Sequence, residues 1–212
     1  MNINTRIEHT LLSTGALNKD IDRLCKEAIS NDFRGVCVPP SLVKRARQGL
    51  AETDKKVITV IDFPFGYSHT FSKTEAIKKA ADQGADGVDV VINYNNAING
   101  VWHLVKDDIE TVVHKAKMRD LEVKLIIELG AYPSKTLQQI VDLCKMAAPD
   151  YVKTNTGILD HVVTPDQLRL LVRMLNEEIP VKASGGIRSE KQAQELIDIG
   201  AELIGASSAA KW

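Results

Sequence analysis

The chain is poor in the residues that mark several common kinds of protein. Its 212 residues include three cysteines, Cys25, Cys37 and Cys144, an odd number with no CxxC spacing. That argues against a disulfide framework or a cysteine-built zinc site and suits a reducing cytoplasm. Aromatic residues make up 5% of the chain, and 27 lysines and arginines nearly balance 28 acidic residues. With no basic-aromatic patch and a net charge of -1, neither nucleic acid nor a membrane surface is an expected partner. No apolar run approaches the roughly 20 residues of a membrane helix, and the stretch Met1-Asn2-Ile3-Asn4-Thr5-Arg6 lacks the apolar core of a secretory signal. The histidines show no HxH, HExxH or i,i+4 spacing, so neither a metal nor another cofactor is expected.

What is present is a regular alternation. Short β-branched runs at Gly35–Val38, Val57–Phe63, Gly87–Ile92, Val123–Leu129, Tyr151–Asn155, Val181–Ser184 and Leu203–Ala206 read as strands, with a weaker eighth at Arg6–Leu11. Several are continuously apolar, as strands covered on both faces are. Between them lie amphipathic helical patterns at Asn18–Ser30, Ser41–Leu50, Ser72–Gln83, Trp102–Met118, Ser134–Ala147, Thr164–Leu175 and Ser189–Ile199. No linker or internal repeat interrupts the series, so residues 1–212 read as one domain. A doubly wound sheet would be expected to carry a GxGxxG after its first strand, and none is present. The remaining parallel architecture is a (β/α)8 TIM barrel, an α/β fold, here with a short C-terminal helix at Ser207–Trp212. In such barrels the active site collects at the C-terminal ends of the strands.

Three charged residues interrupt these strands. Lys153, in Tyr151-Val152-Lys153-Thr154-Asn155-Thr156-Gly157, and Lys182, in Val181-Lys182-Ala183-Ser184-Gly185-Gly186, are cations in apolar runs. Lysine is almost never fully buried unless it is paired or used. A surface lysine at a strand end is the plain alternative for Lys153. Desolvation or a nearby cation turns a lysine into a nucleophile, and these two could serve one another in that way. Asp89, in Gly87-Val88-Asp89-Val90-Val91, is a mid-strand carboxylate that needs a cation, for which Lys182 is the candidate. The pair reads either as a structural tie between strands or as a proton relay.

After the last two strands, Gly185-Gly186-Ile187-Arg188 and Gly205-Ala206-Ser207-Ser208 combine close backbone approach, a guanidinium and a helix start. These features point to a phosphate pocket rather than to plain turns. Glu8 could face the barrel mouth or be solvated, and Glu128 is a candidate for the pocket wall. Cys37 reads as a small buried hydrophobe.

The runs Ile7-Glu8-His9-Thr10-Leu11-Leu12, Phe63-Pro64-Phe65-Gly66 with Lys73, Gly84-Ala85-Asp86-Gly87-Val88-Asp89, Lys124-Leu125-Ile126-Ile127-Glu128 and those around Lys153, Lys182 and Gly205 follow one another in an order and spacing that resembles the deoxyribose-phosphate aldolases. The resemblance spans almost the whole chain. It implies a (β/α)8 barrel and a metal-free class I aldolase that cleaves 2-deoxy-D-ribose 5-phosphate to D-glyceraldehyde 3-phosphate and acetaldehyde. It further implies Lys153 as the Schiff-base lysine, Lys182 as the lysine that lowers its pKa, and Asp89 as the relay carboxylate. Phosphate would be held by Gly157, Gly185, Gly186, Arg188, Gly205, Ser207 and Ser208. The chain departs from the family's pattern in having Glu8 where aspartate is usual, which makes Glu8 a candidate relay group, and Thr-Asn-Thr-Gly for Thr-Ser-Thr-Gly at 154–157. The partner is then a small phosphosugar, with room for a homodimer. A non-catalytic phosphosugar-binding barrel and a Schiff-base aldolase for another sugar phosphate are the alternatives.

Overall fold

The structure, a computed structural model, describes residues 2–212. Eight strands, β1 (Ile7–Thr10), β2 (Gly35–Val38), β3 (Lys56–Ile61), β4 (Gly87–Val91), β5 (Glu122–Ile126), β6 (Tyr151–Lys153), β7 (Val181–Ser184) and β8 (Ala201–Ala206), pair in parallel and in chain order, and β8 closes on β1. Around them run α1 (Asn18–Ser30), α2 (Val43–Gly49), α3 (Thr70–Asp82), α4 (Tyr94–Ile98), α5 (Trp102–Lys117), α6 (Ser134–Ala147), α7 (Pro165–Leu175) and α8 (Glu190–Ile199). This is the expected (β/α)8 barrel, with the last helix reduced to a 3₁₀ turn at Ala209–Lys211. Among the described residues no helix is long and apolar enough to cross a membrane.

Local chemistry explains several element ends. Thr164 and Gln167 form a capping box at α7, with Pro165 in the first turn, and the Ser189 hydroxyl accepts the Gln192 N–H to start α8. Asp20 reaches back to the Leu17 amide at 3.0 Å to begin α1. That helix buries Ile21, Leu24, Cys25 and Ala28, whereas Ile29 is exposed. Strands expected to run on to Phe63 and Leu129 stop at Ile61 and Ile126, because Asp62 (φ 53°) and Glu128 (φ 48°) turn the backbone left-handed. Helix α4 was not anticipated, since five mostly polar residues carry no period.

Outward side chains of the strands pack beneath the helices in one continuous apolar core. The lumen is different. On β2 and β3 it is lined by a small separate apolar group, Cys37, Ile58 and Val60. On the remaining side the inward positions carry Glu8, Asp89, Lys124, Lys153 and Lys182, all buried. The barrel interior is thus split lengthwise into an apolar and an ionic half.

Candidate active site

Lys153 and Lys182 are register partners on the neighbouring strands β6 and β7. Both point inward and donate to the same oxygen of Asp89: Lys153 Nζ lies 2.9 Å and Lys182 Nζ 2.7 Å from Asp89 Oδ2. The surface alternative for Lys153 is thereby removed, since the residue is only 3% exposed. The Lys153 amine also lies 6.0 Å from the centre of the Phe63 ring, within cation–π range.

Beneath this trio the ionic column continues toward the N-terminal face. Glu8 pairs with Lys182, with Lys124 at 3.2 Å and with Arg34 at 2.5 Å. Lys124 stands 3.5 Å from Asp89 Oδ1 and 2.5 Å from Glu122, and Arg34 closes the base by a second 2.5 Å contact to Glu122. Glu8 therefore does not face the barrel mouth and is not solvated; it lies under Lys182 and is fully buried. Arg34, Lys124, Lys153 and Lys182 face the three carboxylates of Glu8, Asp89 and Glu122. The cluster therefore has one base more than it has acids.

Electrostatics follow from this arrangement. Burial alone would raise the Asp89 pKa, but the Lys153 and Lys182 ammoniums hold it far below the carboxylate range. Burial likewise works against the Glu8 anion, yet Lys124 and Lys182 bring its pKa down to about 2. In Lys182 desolvation favours the neutral amine and is outweighed by Asp89 and Glu8, so its pKa lies above the ordinary lysine range. Cys37 is the inert buried thiol expected, pushed up to about 11 by burial.

Above Lys153 opens a cleft of about 280 Å³, at the small end for a ligand pocket. Its lining includes Thr10, Leu11, Leu12, Ser13, Lys153, Thr156, Gly157, Ser184, Gly185, Gly186, Gly205 and Ser207. The loops after β6, β7 and β8 thus meet over one buried amine. Gly157, Gly185 and Gly186 have φ of 74°, 97° and 78°, where a side chain would be strained. Gly205 has a different reason to be glycine. A Cβ there would meet Lys182 Cε at 3.1 Å and Ser184 Cβ at 3.0 Å, so its bareness makes room for the Lys182 stem.

Two expected phosphate residues are not in the lining. Arg188 is exposed beyond the loop, with its amide donating to Gln192, and the Ser208 hydroxyl accepts from the Trp212 indole at 3.1 Å. The Thr154 hydroxyl exchanges hydrogen bonds with the Ser184 backbone, joining β6 to β7. His9 is buried and lies 2.8 Å from Glu27.

Charged residues that the sequence reading passed over also matter. Lys124 carries the same signal as Lys153 and Lys182, a cation inside an apolar strand, while Arg34 and Glu122 look like ordinary strand-entry charges. Lys73 is buried between Asp108 at 2.6 Å and the Val91 carbonyl at 2.9 Å, anchoring α3 to the end of β4 and to α5.

Known proteins match this arrangement along nearly the whole chain. The family model of the DeoC/LacD family aldolases covers residues 4–209. A deoxyribose-phosphate aldolase from Thermococcus gammatolerans is 41% identical over 210 residues, 98% of this chain and 93% of the relative. One from Clostridium botulinum is 39% identical over 207 residues, 98% and 97% of the two chains. The solved structure of a tetrameric deoxyribose phosphate aldolase from Aeropyrum pernix superposes with a TM-score of 0.91 at 31% identity, covering 99% of this chain and 88% of that one. A barrel with paired lysines on one carboxylate, matched from end to end by these sequences, belongs to the DeoC/LacD aldolase family.

Proposed function

We propose that residues 1–212 act as one catalytic barrel domain, a deoxyribose-phosphate aldolase that cleaves 2-deoxy-D-ribose 5-phosphate reversibly to D-glyceraldehyde 3-phosphate and acetaldehyde. The observation that carries this reading is the pair of buried amines on one carboxylate oxygen at the floor of the cleft. An imine-forming lysine must attack as a free amine. A cluster with one base in excess loses a proton without stranding a negative charge, and Lys153 is the base that lines the cleft.

Lys153 Nζ adds to the C1 aldehyde of the open-chain sugar, and loss of water gives a protonated imine. A base takes the proton of the C3 hydroxyl, the C2–C3 bond breaks, and its electron pair enters the iminium to leave an enamine. C3 departs as the aldehyde of glyceraldehyde 3-phosphate. The enamine is then protonated at C2, and water hydrolyses the imine to release acetaldehyde and restore Lys153. Asp89 and Lys182, joined by their hydrogen bond, pass the protons through water, with Glu8 as the group that holds Lys182 from below.

The phosphate end goes to the loops after β6, β7 and β8, where Gly157, Gly185, Gly186 and Ser207 present backbone to the cleft. Arg188 and Ser208, outside the lining, contribute at most at longer range. Self-association as a homodimer and a cytoplasmic location belong to the same proposal. An exposed aromatic group supports the former: Phe71 and the stacked Phe65 and Tyr67 rings, 5.4 Å apart. Light scattering on the purified chain tests it.

Borohydride trapping with deoxyribose 5-phosphate, followed by peptide mass spectrometry, tests the reaction. An adduct on Lys153 is expected. Phosphosugar binding without an adduct would make the chain a binding barrel, and trapping of a different sugar phosphate alone would move the substrate.

A further inference from the structure

Glu128 stands apart from the other buried acids. Glu8, Asp89 and Asp108 each meet a lysine. Glu128 is fully buried, and its Oε2 instead accepts the Thr156 amide at 2.9 Å and lies 3.5 Å from the Tyr94 hydroxyl. Its own backbone is left-handed, with φ 48°, a conformation that is strained for a non-glycine residue. A buried carboxylate on strained backbone persists where the surrounding structure holds it there.

What surrounds it is a joint between three loops of the mouth. Ile127 N donates to Lys153 O at 3.1 Å and Leu129 N to Thr154 O at 2.8 Å, so the chain after β5 runs alongside the chain after β6. The Asn155 side chain closes the pairing, its Nδ2 donating to Leu129 O at 2.8 Å. Tyr94, the first residue of α4, brings in the loop after β4. Apart from the Tyr94–Glu128 contact, these bonds all end on the segment 153–156, and the next residue, Gly157, packs against Gly185, whose Cα would lie 3.3 Å from a Cβ at position 157. The charge-assisted bond from Glu128 thus fixes the peptide group leading into the wall of the cleft.

We propose that Glu128 is a positioning residue that sets the preference for phosphorylated over unphosphorylated sugar, by holding the Thr156–Gly157 backbone against the phosphate end of the cleft. The inference rests on the proposed substrate. Glu128 does not line the cleft and does not touch Lys153, so the imine chemistry at C1 is left to the lysines. Its influence falls on the far end of the ligand.

The test compares Glu128→Ala and Glu128→Gln with wild type on 2-deoxyribose 5-phosphate and on 2-deoxyribose. A hydrogen bond to a charged group is worth about 1.5–3 kcal/mol, so KM for the phosphate ester should rise roughly tenfold or more in Glu128→Ala. For 2-deoxyribose, kcat/KM should stay within about twofold. Glu128→Gln, which keeps an acceptor oxygen, should recover most of the loss. If Glu128→Ala does not fold by circular dichroism, Glu128→Asp is read in the same way, because its shorter carboxylate falls short of the Thr156 amide. Equal losses on both sugars would reduce Glu128 to a structural residue and overturn the proposal, as would unchanged kinetics. If wild type gives no borohydride adduct with the phosphate ester, the substrate reading itself has failed, a result distinct from either.

Discussion

Lys153 and Lys182 share one oxygen of Asp89, so the two amines can be no farther apart than two hydrogen bonds. Each is bound to the group that also binds the other, and a change in the charge of one is felt by its neighbour through a buried medium where screening is weak. This relationship gives the site residues separable signatures.

Replacing Lys153 by alanine removes the only lysine that lines the cleft. Turnover of deoxyribose 5-phosphate should fall by roughly 10³-fold or more, with no borohydride adduct and a near-native circular dichroism spectrum. Residual activity within about tenfold of wild type would sink the imine route.

Lys182→Met should act in two ways. It strands Asp89 and Glu8 beside one fewer cation, which for a buried pair costs about 3–5 kcal/mol of stability. It also takes away the positive charge that shares Asp89 with Lys153. The acid limb of the pH–rate profile should move to the alkaline side. A profile that does not move would mean that the shared oxygen has no consequence for catalysis.

Glu8 makes a prediction about acid stability. Its pKa is about 2 in the folded chain against an ordinary value of 4.5. A depressed carboxylate contributes its stability above the unfolded value and loses it as pH falls toward the folded one. The Glu8 contribution should therefore be complete above pH 4.5 and disappear on the way down to pH 2. Urea midpoints measured across that window should fall less steeply in Glu8→Gln than in wild type, and parallel slopes would show that Glu8 does not titrate in this way.

Gly205→Ala tests the slot for the Lys182 stem. The added methyl would meet Lys182 Cε at 3.1 Å and Ser184 Cβ at 3.0 Å, and the lysine is held at its tip by Glu8 and Asp89. It cannot swing aside without breaking those contacts. The expected result is a kcat reduced by about tenfold or more, at a cost in stability of about 1–3 kcal/mol for an overpacked site. Wild-type kcat would show that the stem has room to spare.

The barrel was readable from the sequence because parallel strands, buried on both faces, are continuously apolar and the helices between them are amphipathic, the last two with Thr164 and Ser189 as caps. The three central charges were readable for the converse reason: Asp89, Lys153 and Lys182 break runs that are otherwise apolar. Lys124 breaks β5 in the same manner and was legible by the same rule, although its partners were not. Arg34 and Glu122 were hidden, since a charge at a strand entrance is usually solvated and only closure of the barrel brings these two together. Arg188 is a different case, exposed and outside the cleft lining. A guanidinium beside two glycines suggested an anion grip, but where its side chain lies depends on the turn into α8, which the residue pattern does not determine. The left-handed turns at Asp62 and Glu128 were invisible because neither residue is glycine.

The ionic column joins parts of the barrel that are usually assigned different tasks, chemistry at the C-terminal rim and stability at the N-terminal base. Here Arg34 and Glu122, partly open to solvent at the base, connect through Lys124 and Glu8 to the amine that shares Asp89 with Lys153. The underside of the barrel is therefore joined by ion pairs to the floor of the cleft. A charge-removing substitution there, remote from the cleft, should alter the electrostatic load on Lys124 and Lys182, and a changed pH–rate profile would report it. Robustness and turnover in this chain are not independent quantities, and variants selected for one will carry a signature in the other.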